Sequence, residues 1–120
     1  MYYTPSVQEF FTGFRYETEI NNKWVPKIYN GEKLRKKVRV KSLCKQDLFE
    51  LEFEQVLFND SSVAYSKRIV TSTSNNELLL FFLEADGIQL HLDNRIILNY
   101  MFVKNKQELE FLLNRMGLII

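Results

Sequence analysis

The segment from residue 76 to residue 116 constrains the fold of this chain more than any other. Three strand-forming runs alternate there with two turn-forming pairs, in the order 77–83, Asp86-Gly87, 88–92, Asp93-Asn94 and 95–103. A helical pattern then continues to residue 116. Because consecutive strands can pair and the helix can pack back onto them, this segment predicts a self-contained hydrophobic core.

The predicted helix has clear start and stop signals. Asn105 is a favoured N-cap residue, and Glu108 follows at the position of a capping-box variant. Apolar residues recur behind it at helical spacing, namely Leu109, Leu112, Leu113 and Met116. Gly117 is placed to end the helix. We therefore expect a C-terminal helix that buries one face.

The first strand of the segment is apolar on both faces, since residues 78–83 are all leucine or phenylalanine. Such a strand is normally central in a sheet and covered on both sides. The strand after it alternates instead, with Ile88, Leu90 and Leu92 on one face and Gln89 and His91 on the other.

The rest of the chain favours the same fold class. Alternating patterns predict strands at 14–20, 24–29, 37–41 and 63–70, and short helices are expected at 6–11 and 45–51. Pro26 indicates an edge strand or a bulged strand, and residues 53–58 fit either a strand or a longer helix. We predict an α+β fold in a single domain, residues 1–120. A mainly antiparallel sheet of about five to seven strands carries the C-terminal helix on one face, with one or two short helices besides.

Composition narrows the class of protein. The chain is 46% hydrophobic and 26% charged, as in ordinary globular proteins, and its net charge of +1 gives no overall attraction to polyanions. The single cysteine excludes an internal disulfide, which fits a reducing compartment. Residues 1–5 lack the features of a signal peptide, and the longest apolar run has six residues. We expect a cytoplasmic protein with no membrane segment.

Candidate catalytic residues lack partners in the sequence. His91 is the only histidine, so we expect it to be exposed and without a catalytic or metal-binding role. Cys44 lies between Lys41 and Lys45, a setting that activates a thiol. A structural thiol is favoured because His91 is the only histidine that could serve as a base, and a nucleophile–base pair is unsupported. Acidic residues alternate without the spacing of a metal loop, and solvated faces explain them: Glu17, Glu19, Glu50, Glu52 and Glu54. We predict no enzyme activity, cofactor or metal.

The most suggestive segment is basic. Residues 33–45 contain no acid and seven cations: Lys33, Arg35, Lys36, Lys37, Arg39, Lys41 and Lys45. On a strand, every second side chain projects from one face at intervals of about 6–7 Å, which matches successive phosphates. Candidate nucleic-acid-binding residues are therefore Lys33, Arg35, Lys37, Arg39 and Lys41, with Trp24 and Tyr29 as stacking surfaces. Lysines also protect exposed edge strands, and the acidic residues that follow can neutralise the patch.

Three segments carry a resemblance to a known family. Residues 3–10 (YTPSVQEF) and 13–17 (GFRYE) resemble the opening of small uncharacterised proteins of tailed phages and prophages of Bacteroidetes-type gut bacteria. Residues 38–41 with 47–53 are similar to the second segment of that family, which usually has a glycine at the position of Glu52. Residues 104–109 (KNKQEL) fit its closing helix. The resemblance implies a phage or prophage origin and supplies no activity or functional residue.

These patterns together predict a small non-enzymatic accessory protein of a phage or prophage. We expect it to bind another protein or to self-associate, in an assembly or host-interaction role, because apolar residues exceed what one helix can cover. Its expected location is the host cytoplasm or the virion. The alternative function is nucleic-acid binding through residues 33–41.

Overall fold

Alternating apolar residues build antiparallel sheets in two separate units of the chain. The computed structural model describes residues 1–34, 37–70, 73–84 and 87–118. The first unit is Met1–Ser42 and the second is Leu43–Ile120. Each has its own core, and the expectation of a single domain stays a prediction.

The first unit contains a four-stranded sheet. Its strands are β1 (Tyr2–Tyr3), β2 (Arg15–Ile20), β3 (Lys23–Ile28) and β4 (Val38–Lys41), in the order β1-β4-β2-β3. A 3₁₀ turn, Val7–Glu9, replaces the predicted short helix. Asn21 and Asn22 have φ of 52° and 64°, as the β2–β3 hairpin turn requires of both central residues. Pro26 lies in the edge strand β3, as predicted.

The second unit contains a five-stranded sheet and two helices. In chain order these are α1 (Lys45–Glu50), β5 (Glu54–Leu57), β6 (Val63–Val70), β7 (Asn75–Phe82), β8 (Gly87–Leu92), β9 (Arg95–Phe102) and α2 (Lys106–Arg115). The strands pair in sequence order, all antiparallel. Residues 53–58, for which both interpretations were open, therefore include a strand.

The predicted meander and helix form the centre of the second core. β7 is the middle strand, and Leu78 and Leu80 are fully buried. Leu109 and Leu113 of α2 pack into the same cluster as these leucines. α2 begins after the N-cap Asn105, whose side chain accepts the N–H of Glu108. The helix that the spacing predicted thus covers the apolar face of the meander.

The fold class predicted from the sequence is confirmed. The protein is α+β, with antiparallel sheets, a C-terminal helix and one further short helix. The described strands number nine, and they form two sheets rather than one. The division has a physical basis. β4, the last strand of the first unit, pairs with β1 and β2 of the same unit and so completes the first sheet before the second begins.

Candidate functional site

The basic segment becomes the inner strand β4 and the loop that precedes it. Val38 and Val40 belong to the core cluster of the first unit, so Arg39 and Lys41 lie on the opposite face of the sheet. The strand predicted for residues 37–41 is thus found at 38–41. It lies between β1 and β2, so its single lysine, Lys41, does not protect a sheet edge.

The other predicted cations lie before β4. Lys37 is exposed, but its backbone is fixed, since its carbonyl accepts hydrogen bonds from Thr18 Oγ1 at 3.1 Å and from the N–H of Glu19 at 3.2 Å. Lys33 is exposed in the loop. Arg35 lies outside the described residues. Three of the five predicted residues, Lys37, Arg39 and Lys41, are therefore placed along one face.

Arg39 lies between two aromatic rings. Its guanidinium carbon is 3.8 Å from the centre of the Tyr2 ring and 4.3 Å from the centre of the Trp24 ring. Its Nε donates a hydrogen bond to Glu17 Oε1 at 2.6 Å. Tyr2 belongs to β1, Glu17 to β2 and Trp24 to β3, so this stack joins every strand of the first sheet. Cation–π contacts of this kind contribute about 0.5–1 kcal/mol each at exposed sites.

A cavity of about 390 Å³ opens beside this stack. It is lined by Tyr2, Tyr3, Thr4, Trp24, Lys37, Val38 and Arg39. Cavities of about 300–1,000 Å³ are typical of ligand sites, and this one combines aromatic rings with an exposed ammonium group. Its charge comes from Lys37, because Glu17 neutralises Arg39.

The two stacking residues expected from the sequence have different positions. Trp24 lies against Arg39, whereas Tyr29 packs on the core cluster with its ring 5.1 Å from that of Phe10. Tyr2 supplies the second ring instead. Sequence reasoning missed Tyr2 because only its pairing with Lys41, 39 residues along the chain, brings it to this face.

His91 and Cys44 each contact neighbouring side chains, and these contacts give both residues a structural role. His91 is half-buried rather than exposed, because its ring lies 4.8 Å from that of Phe81, and its Nε2 is 2.8 Å from Gln89 Oε1. Cys44 is half-buried at the start of α1, with Sγ 3.8 Å from Asp47 Oδ2. Neither contact supplies the base that a nucleophile needs.

The alternating acids belong to ion pairs or to the surface. Glu17 pairs with Arg39, and Glu50 Oε1 accepts a hydrogen bond from Lys106 Nζ at 2.8 Å. Glu52 Oε2 lies 3.7 Å from Lys67 Nζ. Among the residues that the structure describes, no group of three His, Cys, Asp or Glu side chains is arranged to hold a metal ion.

A second surface of interest is the edge strand β9. It pairs with β8 on one side only and carries exposed apolar side chains, including Ile96 at 56% and Phe102 at 59% exposure. A groove of about 480 Å³ follows its end beside α2. The groove is lined by Met101, Phe102, Val103, Glu108, Phe111, Leu112, Arg115 and Met116. Sequence reasoning expected an uncovered apolar surface but placed it on β7, whose leucines 78–80 are buried.

Comparisons with known proteins do not assign the chain to a family. No protein-family model matches it, and no curated protein or solved structure shows significant similarity to it. In the described parts of the chain, no helix is both long and apolar enough to cross a bilayer. The class that the fold defines is therefore a small α+β protein, and function has to be inferred from its surfaces.

Proposed function

We propose that this protein is a non-enzymatic binding protein with an assembly role, which associates with a second copy of itself through the edge of β9. The observation that supports the proposal is a long, apolar sheet edge. β9 is eight residues long, and residues 96–103 include no charged side chain. Lysine, proline, shortness and β-bulges normally keep edge strands apart. The β8–β9 pairing has register shifts between Ile88 and His91, but β9 is long and carries no lysine or proline.

The other edge of the same sheet provides a contrast. β5 has four residues and begins with Glu54, so it offers a short and partly charged edge. Its most exposed apolar side chain, Leu57, is 70% exposed but stands at the strand end. The short, partly charged edge at β5 and the long, apolar edge at β9 favour β9 as the contact surface.

A second copy suits this edge because the seam carries no charge conflict. When two β9 strands pair antiparallel, the two Arg95 side chains lie at opposite ends of the seam. Each then lies near the far end of the partner strand, where residues 96–103 carry no charge. The two sheets become one continuous sheet across a two-fold axis, the commonest symmetry of protein dimers.

The groove beside α2 extends the apolar surface beyond the strand. Phe111 is 59% exposed at its rim, where Arg115 stacks with its guanidinium carbon 5.5 Å from the ring centre. Burial of such side chains yields about 25 cal/mol per Å² of apolar area, which favours association. An accessory protein of a phage or prophage, the origin that the sequence resemblance implies, would use such a contact in assembly.

The experiment is light scattering coupled to size-exclusion chromatography at micromolar concentration. The parent protein is expected at twice the 14.4 kDa mass of one chain. Phe102→Lys is expected to give monomers because it places on β9 a lysine, the residue with which exposed strands resist edge-to-edge pairing.

Leu57→Lys is the matched control at the opposite edge of the sheet. It introduces the same charge at an exposed apolar position and is expected to leave the mass unchanged. A monomeric parent at every concentration would contradict self-association. A dimer that survives Phe102→Lys would show instead that the contact lies elsewhere.

A further inference from the structure

We infer that the face of the first sheet that carries Tyr2, Trp24 and Arg39 is a binding site for single-stranded nucleic acid. This inference concerns the first unit and does not depend on self-association through β9. It combines three features of that unit: its charge, its fixed aromatic rings and the position of its lysines.

The nearly neutral chain consists of two oppositely charged parts. Residues 1–42 contain nine Lys and Arg against four Asp and Glu, a formal net charge of +5. Residues 43–120 contain seven against eleven, a net charge of −4. The first unit therefore has the local excess of cations that attracts a polyanion, although the whole chain has not.

The aromatic rings are held in place before any ligand arrives. Arg39 contacts both rings and is itself anchored by the hydrogen bond to Glu17. Tyr2 remains 44% exposed, and Trp24 is half-buried beside the open cavity. Stacking of bases on such rings is the usual source of affinity in proteins that bind single strands. Arg39 is thus a positioning residue for the rings rather than a phosphate contact.

The lysines lie where a backbone that follows these rings would pass. Lys37 lines the cavity, and Lys41 lies exposed on the same face of β4 as Arg39. Four residues of extended chain separate the two lysines, about 13 Å, or about two phosphate intervals. A backbone that runs along β4 can therefore meet both ammonium groups.

The rings favour a single strand over a duplex. Bases inside a duplex are stacked on one another, so their faces are not available to Tyr2 or Trp24. A duplex or another polyanion can bind the lysines but cannot stack on the rings. Selectivity for a single strand is therefore the property that separates this site from a general basic surface.

Trp24 provides a direct signal because it is the only tryptophan of the chain. Titration of the full-length protein with a single-stranded oligothymidylate at low salt is expected to quench its fluorescence. A duplex of the same length and heparin are expected to bind more weakly and to leave Trp24 unquenched. Equal quenching by all three probes, or none by the oligothymidylate, would overturn the inference.

The lysines are tested by Lys37→Glu with Lys41→Glu, followed by anisotropy of a labelled oligothymidylate. Affinity is expected to fall at least about tenfold, and the slope of log K against log salt is expected to decrease by about 1.4. The matched control is Lys23→Glu with Lys27→Glu, which makes the same charge change on the other face of the sheet. Equal losses in both double variants would overturn the site.

Three further variants separate binding from folding. Lys37→Gln with Lys41→Gln removes the charges without reversal and is expected to reduce the salt slope by the same amount. Trp24→Ala is expected to weaken binding about 5- to 150-fold, whereas Trp24→Phe keeps a stacking face and retains most of it. Thermal unfolding monitored by circular dichroism shows whether each variant is folded. Full affinity in a folded Trp24→Ala protein would refute the stacking role.

Discussion

Glu52 shows how a single backbone conformation determines where α1 ends. Its φ is +69°, in the left-handed region, and its side chain is 87% exposed. Its Oε2 lies 3.7 Å from Lys67 Nζ, and this ion pair is weak because the carboxylate is exposed. A residue other than glycine in this conformation costs about 1–2 kcal/mol. A glycine at this position would avoid that cost.

Glu52→Gly is accordingly expected to raise the free energy of unfolding by up to about 1 kcal/mol, since strain relief exceeds the added entropy of the unfolded chain. Urea denaturation measures it. Glu54→Gly, two residues on in β5, is the matched control and is expected to lower stability because glycine is unfavourable in a strand. A loss of stability at both positions would contradict the account of Glu52.

The ionisation of Tyr16 makes the stability of the first core depend on pH. Burial raises the pKa of its hydroxyl above 10.0, and the carboxylate of Glu32, which accepts its hydrogen bond, raises it further. The folded protein therefore favours the neutral phenol. This stabilisation is fully present below the pKa of the unfolded chain and is lost as pH rises through the higher folded pKa.

The corresponding prediction compares Tyr16→Phe with the parent. At neutral pH the variant is expected to be less stable by about 0.5–1.5 kcal/mol, because the hydrogen bond is lost. Above pH 10 the difference is expected to shrink, since only the parent pays for phenol ionisation. Urea unfolding followed by Trp24 fluorescence across this range measures both. A difference that stays constant with pH would show that Tyr16 does not titrate as described.

At the scale of elements, α2 depends on its first turn. The buried Asn105 accepts the N–H of Glu108 through Oδ1 at 2.9 Å, and Glu108 Oε2 accepts the N–H of Lys104 at 3.1 Å. The carboxylate thus returns to the residue before the N-cap, which is why the pattern is a variant of the capping box.

Asn105→Ala is expected to lower the free energy of unfolding by about 1–2 kcal/mol because it removes the cap from a buried helix start. Asn105→Ser keeps an acceptor oxygen and is expected to retain most of the stability. Chemical denaturation of the three proteins gives the values. Equal losses in the two variants would indicate that packing around Asn105, not capping, determines the effect.

At the scale of the whole molecule, the two proposed contacts lie in different units and can be separated. Variants of Lys37 and Lys41 are expected to bind oligothymidylate poorly while they keep the dimer mass. Phe102→Lys is expected to do the reverse. Loss of both properties in either variant would mean that the two surfaces are not independent.

The local features of this fold were predictable because local physics determines them. The hairpin at Asp93-Asn94, the central position of β7 and the cap of α2 follow from turn residues, apolar runs and spacing within a few positions. The basic strand was predicted for the same reason. Its partners were not, since nothing near Arg39 in the sequence indicates Tyr2 or Glu17.

The sequence by itself determined the α+β class, most strand and helix positions, and the alternation that separates Val40 from Arg39 and Lys41. Only the tertiary structure decided that the strands divide into two sheets, that Tyr2 joins Trp24 around Arg39, and that β9 is left as an open edge. The physical reason is that strand order depends on pairing between distant segments. Side-chain period determines which face a residue occupies but not which strand lies beside it.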